Sequence, residues 1–264
     1  MGVVPKIPPS AYVNWYQNID VWTTAGPVKQ ASVTRYLCNI AKYGGLGDSP
    51  VFWQTILQAA NAAKLFYRKD QVAGATQCFW GKAAPDDVAH ALRIVEDVAV
   101  NNLDYPGLKP FHGILADNDR IAKVCEKYIG VDCNGFVGNY AVENSLPGGG
   151  PNTLPNDWSN VGPVNKWRST VAEIQPLDVL IWPDGAHIAI IDSVKNGQFA
   201  VCQSTGPGGP QTSTGHVISP ATTADTTPRF KVDVGRRQDG QCPSTIPATV
   251  RIKSIGFIVT GYVW

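Results

Sequence analysis

The feature that constrains this chain most is a change of hydrophobic period near residue 176. Upstream, apolar residues recur at helical spacing; downstream they come in short runs of strand length separated by turn residues. Helical patterns first and strand patterns after is the order expected of an α+β fold. Between the two regimes, residues 145–176 are rich in Pro, Gly and Asn (SLPGGGPNTLPNDWSNVGP) and contain Trp158 and Trp167. An irregular stretch this long is expected to be a lid or a binding loop.

The helical part divides into several segments. Ser49-Pro50 supplies an N-cap and a first-turn proline for a helix through about Tyr67, with Phe52, Ile56, Ala59, Ala63 and Phe66 on one side. A second helix follows Pro85 and runs to Asn101, on which Val88, Ala91, Leu92, Val95 and Val98 or Ala99 recur; His90 falls off that face and reads as solvated. Asp117 to Asp119 can cap a third helix whose stripe is Ile121, Val124, Cys125 and Tyr128, which makes Cys125 a core residue. Near the start, YVNWYQNIDVW mixes aromatic and polar residues and is expected to pack over something else. Residues 1–115 thus form a mainly helical region, and 116–264 a second domain containing the 145–176 loop.

Charge and composition narrow the function. Lys+Arg 22 against Asp+Glu 21 leaves a formal +1, so nothing favours a nucleic acid or an anionic membrane as partner. No apolar run approaches the ~20 residues of a membrane span, and MGVVPKIPPS lacks the apolar core of a secretory signal. The six cysteines (38, 78, 125, 133, 202, 242) permit disulfides but are scattered through a chain too long to need them. No CxxC or HxxxH pair suggests a structural metal.

One stretch carries chemistry. In VDCNGFVGNYAVEN, residues 131–144, Asp132 can act as N-cap while Phe136, Val137, Tyr140 and Ala141 make an apolar stripe, placing Cys133 in the first turn of a short helix. The partial positive charge and unsatisfied N–H groups of a helix start favour thiolate over thiol. Gly135 leaves room for a backbone or substrate to approach. Taken alone, Cys133 reads more readily as a small buried hydrophobe than as a nucleophile. Downstream, DVLIWPDGAHIAIIDSV forms two β runs, Val179 to Trp182 and His187 to Val194, around the turn Pro183-Asp184-Gly185; Lys195-Asn196-Gly197 then leads into QFAVCQST. A histidine therefore opens a strand downstream of a helix-start cysteine.

These stretches resemble the NlpC/P60-type cysteine peptidases and amidases, which have a papain-like fold. Asp132-Cys133-Asn134-Gly135-Phe136-Val137 is similar to the family's DCSG-like helix start, Ile174-Gln175-Pro176-Leu177-Asp178-Val179-Leu180-Ile181-Trp182 to its L-x-P-G-D-L-V-F-F strand, and Ala186-His187-Ile188-Ala189-Ile190 to its G-H-V-[AG]-I strand. The related CHAP amidases share the cysteine-then-histidine order. Asn134, Leu177 and Ala186 depart from the usual serine and two glycines. The resemblance covers roughly residues 123–205 and leaves 1–115 as a helical extension. It implies a catalytic helix packed on an antiparallel sheet, with Cys133 as nucleophile, His187 as base and, on the next strand, Gln203 as the residue orienting the imidazole. His216 is a weaker candidate base.

Hairpin parity leaves Gln203 open. A three-residue loop puts His187 and Gln203 on one sheet face, a two-residue Asn196-Gly197 turn on opposite faces. Cys202 reads as sheet core. Asp132, Asn134 and Tyr128 lie near enough in sequence to line the site, and Trp158 and Trp167 can wall it or pack as core. The implied reaction is amide hydrolysis through a thioester, on peptidoglycan stem peptides, requiring neither metal nor organic cofactor. The same scaffold also supports acyl transfer to an amine or hydroxyl, or a non-enzymatic binding module.

Overall fold

The computed structural model describes residues 5–24, 26–39, 45–146, 149–160, 167–182, 187–206, 208–221, 228–233, 236–237 and 249–254. Helices and strands are mixed in the expected α+β order. The helices are Pro9–Gln17 (α1), Ser49–Ala62 (α2), Lys69–Gln77 (α3), Pro85–Asn101 (α4), His112–Leu115 (α5), Arg120–Tyr128 (α6) and Cys133–Glu143 (α7). A short pair, Ile19–Val21 (β1) with Lys29–Ala31 (β2), precedes the later strands Asp178–Ile181 (β3), Ile188–Lys195 (β4), Gln198–Thr205 (β5), Gly209–Ala221 (β6), Arg229–Asp233 (β7), Arg236–Arg237 (β8) and Thr249–Ser254 (β9). The chain groups into two compact units interleaved in sequence rather than cut at residue 115: residues 14–135 with 205–210, and residues 1–13 with 136–204 and 211–264.

The first unit is helical. Its core is aromatic: Phe52 stacks on Tyr128 at 4.0 Å and 4°, meets Phe111 edge-on at 5.2 Å, and Trp53 stacks on Phe79 at 4.7 Å. α4 buries Val88, Ala91, Leu92, Val95, Val98 and Ala99, and α6 buries Ile121, Val124, Cys125 and Tyr128, as their spacing predicts. α2 ends five residues before Tyr67. Lys64 adopts φ +57°, and the N–H groups of Leu65 and Lys64 close back on the carbonyls of Ala60 (2.9 Å) and Asn61 (3.0 Å), a Schellman cap with lysine where glycine is usual. Phe66 therefore leaves the helix face and is 89% exposed. Ser49 is the first helical residue, with Asp48 at the cap position. α3 has no sequence signal because Ala75 is its one buried residue.

The second unit is built on a closed sheet. Strands follow the order β5-β4-β3-β9-β7-β6, the β5–β6 pairing closes the ring, and β8 pairs with β6. Closure leaves these six strands without an open edge. Leu180, Ala189, Ile191, Phe199, Val201, Ile218, Phe230, Val250 and Ile252 fill its core. The predicted antiparallel β3–β4–β5 meander is present, although the Pro183-Asp184-Gly185 turn, Ala186, Gly148 and Cys242 lie outside the described residues. The N-terminal segment joins this unit: Tyr12 packs on Phe136 (5.9 Å) and Tyr140 (5.6 Å), and the Tyr140 hydroxyl donates to the Ile7 carbonyl at 2.9 Å. Parts of the 145–176 stretch are anchored too. Trp167 bridges to Lys253 of β9, and Arg168 grips the buried Asp178 carboxylate with two bonds of 2.7 and 2.8 Å. Among the described residues, no helix is long and apolar enough to cross a membrane.

Candidate functional site

The helical unit holds Cys133. Asp132 caps α7: its carboxylate accepts the Gly135 N–H at 2.6 Å and pairs with Lys82 Nζ at 2.5 Å. Burial pushes this carboxyl above its ordinary range, and Lys82 with the Gly135 and Asn134 N–H groups pulls the other way. Two backbone bonds dock the segment, Val131 N–H to Arg35 C=O (3.1 Å) and Asp132 N–H to Gly81 C=O (2.9 Å). The close approach that Gly135 permits is to backbone: a Cβ there would lie 2.2 Å from the Gly81 carbonyl oxygen. Gly81 itself sits at φ +77°, where glycine is favoured.

Cys133 is 3% exposed. The Tyr36 hydroxyl donates toward its sulfur at 3.8 Å, and the Asn134 side-chain oxygen lies 4.0 Å away. Burial raises the Tyr36 phenol well above its ordinary value, and the neighbouring Cys133, Cys38 and Asp132 side chains add to that rise. Tyr36 is thus held as an O–H donor at all physiological pH. Tyr36 and Lys82 are separated from their partners by 97 and 50 residues. No periodic or motif signal in RYLCN or WGKAAP marks either residue.

The barrel unit holds His187, immediately before β4. Its Nε2 lies 2.8 Å from Gln203 Oε1 on β5, and its ring meets Trp182 edge-on at 4.9 Å. An amide oxygen only accepts, so Nε2 carries the proton and Nδ1 keeps its lone pair. Burial lowers the imidazole below its ordinary value of 6.5, opposed by the Gln203 bond, which favours the neutral base near pH 7.

The register explains why parity was ambiguous. The turn is the two-residue one, with Lys195 facing Gln198 and both Asn196 (φ +52°) and Gly197 (φ +74°) left-handed. On that side Ser193 faces Ala200, but beyond it Ile191 faces Val201 and Ile190 faces Cys202, with Asp192 bulged out. The extra residue reverses parity once more and returns Gln203 to the His187 face. Asp192 is not idle, since its carboxylate accepts the Ser10 N–H of α1 at 2.7 Å.

The remaining candidates are placed as follows. Tyr128 is 2% exposed and belongs to the aromatic core. Trp158 is fully buried, packed so closely on Gly149 that a Cβ there would sit 2.1 Å from its ring. Trp167 lies under the Arg251 guanidinium at 3.6 Å. Tyr128 and Trp158 are core residues here, while Trp167 is partly exposed. His216 is buried and bonded to Ser213 Oγ at 2.7 Å within the barrel. His90 is half-buried beside Gln71 at 3.4 Å rather than solvated. Cys38, Cys78, Cys125, Cys133 and Cys202 are buried, and among the described residues none of them forms a disulfide. Among the described residues, no cluster of three or more His, Cys, Asp or Glu side chains is placed to hold a metal ion.

Compared with family models, with curated proteins and with solved structures, the chain shows no significant match to any of them.

Proposed function

We propose that the protein is a cysteine-dependent amidase with a papain-like catalytic arrangement, acting on peptide amides of the kind found in peptidoglycan stem peptides. The observation that carries this reading is the His187–Gln203 pair at 2.8 Å, which fixes one imidazole tautomer and leaves Nδ1 as a base. The order of elements supports it: a capped helix opening on Cys133, then His187 immediately before β4 and Gln203 on β5.

In this reading, Cys133 loses its proton to His187 Nδ1 and its sulfur attacks the amide carbonyl carbon. The C–N bond of the resulting tetrahedral adduct breaks as His187 returns the proton to the leaving amine. Water, deprotonated by the same imidazole, then cleaves the thioester and releases a carboxylate. The N–H groups of Asn134 and Gly135 already bond to Asp132, so they are not the oxyanion donors that a helix start would suggest. Tyr36, an obligate O–H donor at the sulfur, takes that role.

The test is digestion of purified muropeptides followed by mass spectrometry. One new amine and one new carboxylate should appear per cut, and neither should form with Cys133→Ala or His187→Ala. Cleavage that persists in Cys133→Ala overturns the assignment.

A further inference from the structure

The proposed chemistry makes no use of the outward face of α4, which forms the floor of two adjoining cavities. Asp86, Ala89, His90 and Arg93 line one of about 470 Å³; His90, Arg93, Asp97, Val100 and Asn101 line the next, of about 500 Å³. His90 and Arg93 belong to both, so the two make one trough. From residue 86 to 101 the helix extends ~22 Å. Asp86, Ala89, His90, Arg93, Val100 and Asn101 lie off the buried stripe of α4, whereas Asp97, with Ile94 and Glu96, brings part of that stripe to the wall of the larger cavity.

The walls are aromatic at both ends. Trp15 and Trp22, 43% and 68% exposed, flank the smaller cavity; Phe66, 89% exposed, and Tyr67 flank the larger. Large exposed rings in a concavity mark a binding surface. Between them the floor and rim are polar: Asn18, Asp20 and Asp86 at one end, Gln71 and Asn101 at the other. Asp97 is held rigid by the hydroxyls of Thr24 and Tyr67.

This chemistry selects among ligand classes. A polyanion would meet Asp20 and Asp86 against Arg93 in the smaller cavity and Glu96 and Asp97 against Arg68 and Arg93 in the larger, so neither carries a net positive lining, and neither is lined by lysine. An amphipathic helix needs a groove without carboxylates along its centre. An uncharged glycan fits both features: the C–H face of a pyranose lies against the electron-rich face of an indole, and hydroxyls, which donate and accept, pair with carboxylates, amides and imidazole. We infer that this trough of the helical unit is a binding site for an uncharged glycan strand, with Trp15 and Trp22 as its stacking platforms.

The site stands apart from the proposed hydrolysis and is tested without it. Full-length Cys133→Ala protein is titrated with chitotetraose, a peptide-free oligosaccharide, in a calorimeter. Saturable binding is expected, and Trp22→Ala and Trp15→Ala should each weaken it by about ten-fold or more. Asp86→Ala, at an exposed position, should weaken it as well and serves if either tryptophan variant fails to fold. No saturable binding at millimolar chitotetraose overturns the inference. So does binding that neither Trp22→Ala nor Asp86→Ala changes, or binding of a sulfated oligosaccharide through Arg93 where chitotetraose does not bind.

Discussion

Removing the Asp132 carboxylate should be among the most damaging single changes in the helical unit. Its side chain is 6% exposed and that of its partner Lys82 14%, so the pair is nearly out of water. Deleting one member of a buried pair costs ~3–5 kcal/mol, because the other charge remains buried without compensation. Asp132→Ala also loses the 2.6 Å cap on Gly135, typically ~1 kcal/mol. The expected total of about 4–6 kcal/mol is comparable to the whole stability of many domains. Asp132→Asn keeps an acceptor for the cap and should cost about 1 kcal/mol less. Lys82→Met should cost less again, because the carboxyl, already raised by burial, can take up a proton. That variant also acquires a definite pH dependence. A carboxyl whose folded pKa is raised stabilises the fold when protonated, so the Lys82→Met protein should be most stable at low pH and lose stability as pH rises through the folded pKa. Urea denaturation of both singles and of Asp132→Asn/Lys82→Met yields a coupling energy, expected at about 2–3 kcal/mol. A coupling below about 0.5 kcal/mol would refute the idea that a desolvated ion pair anchors the start of α7.

Other outcomes follow from the same geometry. Gly135→Ala should destabilise by about 2–3 kcal/mol, since its methyl meets the fixed Gly81 carbonyl; a melting temperature equal to wild type would contradict this packing. Gln203→Ala should lower kcat about ten- to a hundred-fold, or ~1.4–2.7 kcal/mol, with KM nearly unchanged, whereas His187→Ala should abolish turnover; equal losses from Ser204→Ala would remove Gln203 from the site. Because the folded His187 pKa is depressed, its contribution to stability is present above pH 6.5 and lost as pH falls below it, and His187→Gln should flatten that acid limb in a pH series of melting curves. Cys125→Ala should cost about 1 kcal/mol through a small cavity and spare activity, its thiol being pushed up to about 12 by burial, while Cys133→Ala should do the reverse.

Local physics was legible along the chain wherever one element carried its own signal. The stripes of α4 and α6 name their own buried faces, because a 3.6-residue period needs no partner to be recognised. Asp132 before an apolar stripe announced both the start of α7 and its cap. What escaped were features set by distant backbone. Lys64 closes α2 in a left-handed conformation usually taken by glycine, and so sends Phe66 into solvent. Tyr36 and Lys82 reach Cys133 and Asp132 only because Arg35 and Gly81 hydrogen-bond to Val131 and Asp132, and no local pattern encodes that pairing. The clearest case is Gln203. The chain left a two- and a three-residue turn both open; the turn that forms is the two-residue Asn196-Gly197 one, which by itself would have turned Gln203 away from His187. The bulge at Asp192, whose carboxylate holds the Ser10 N–H of α1, reverses that parity. Side-chain direction in a strand has a period of two, so one unpaired residue changes every face beyond it. The residue types were written in the chain; which of them face one another was decided by the register of the folded sheet.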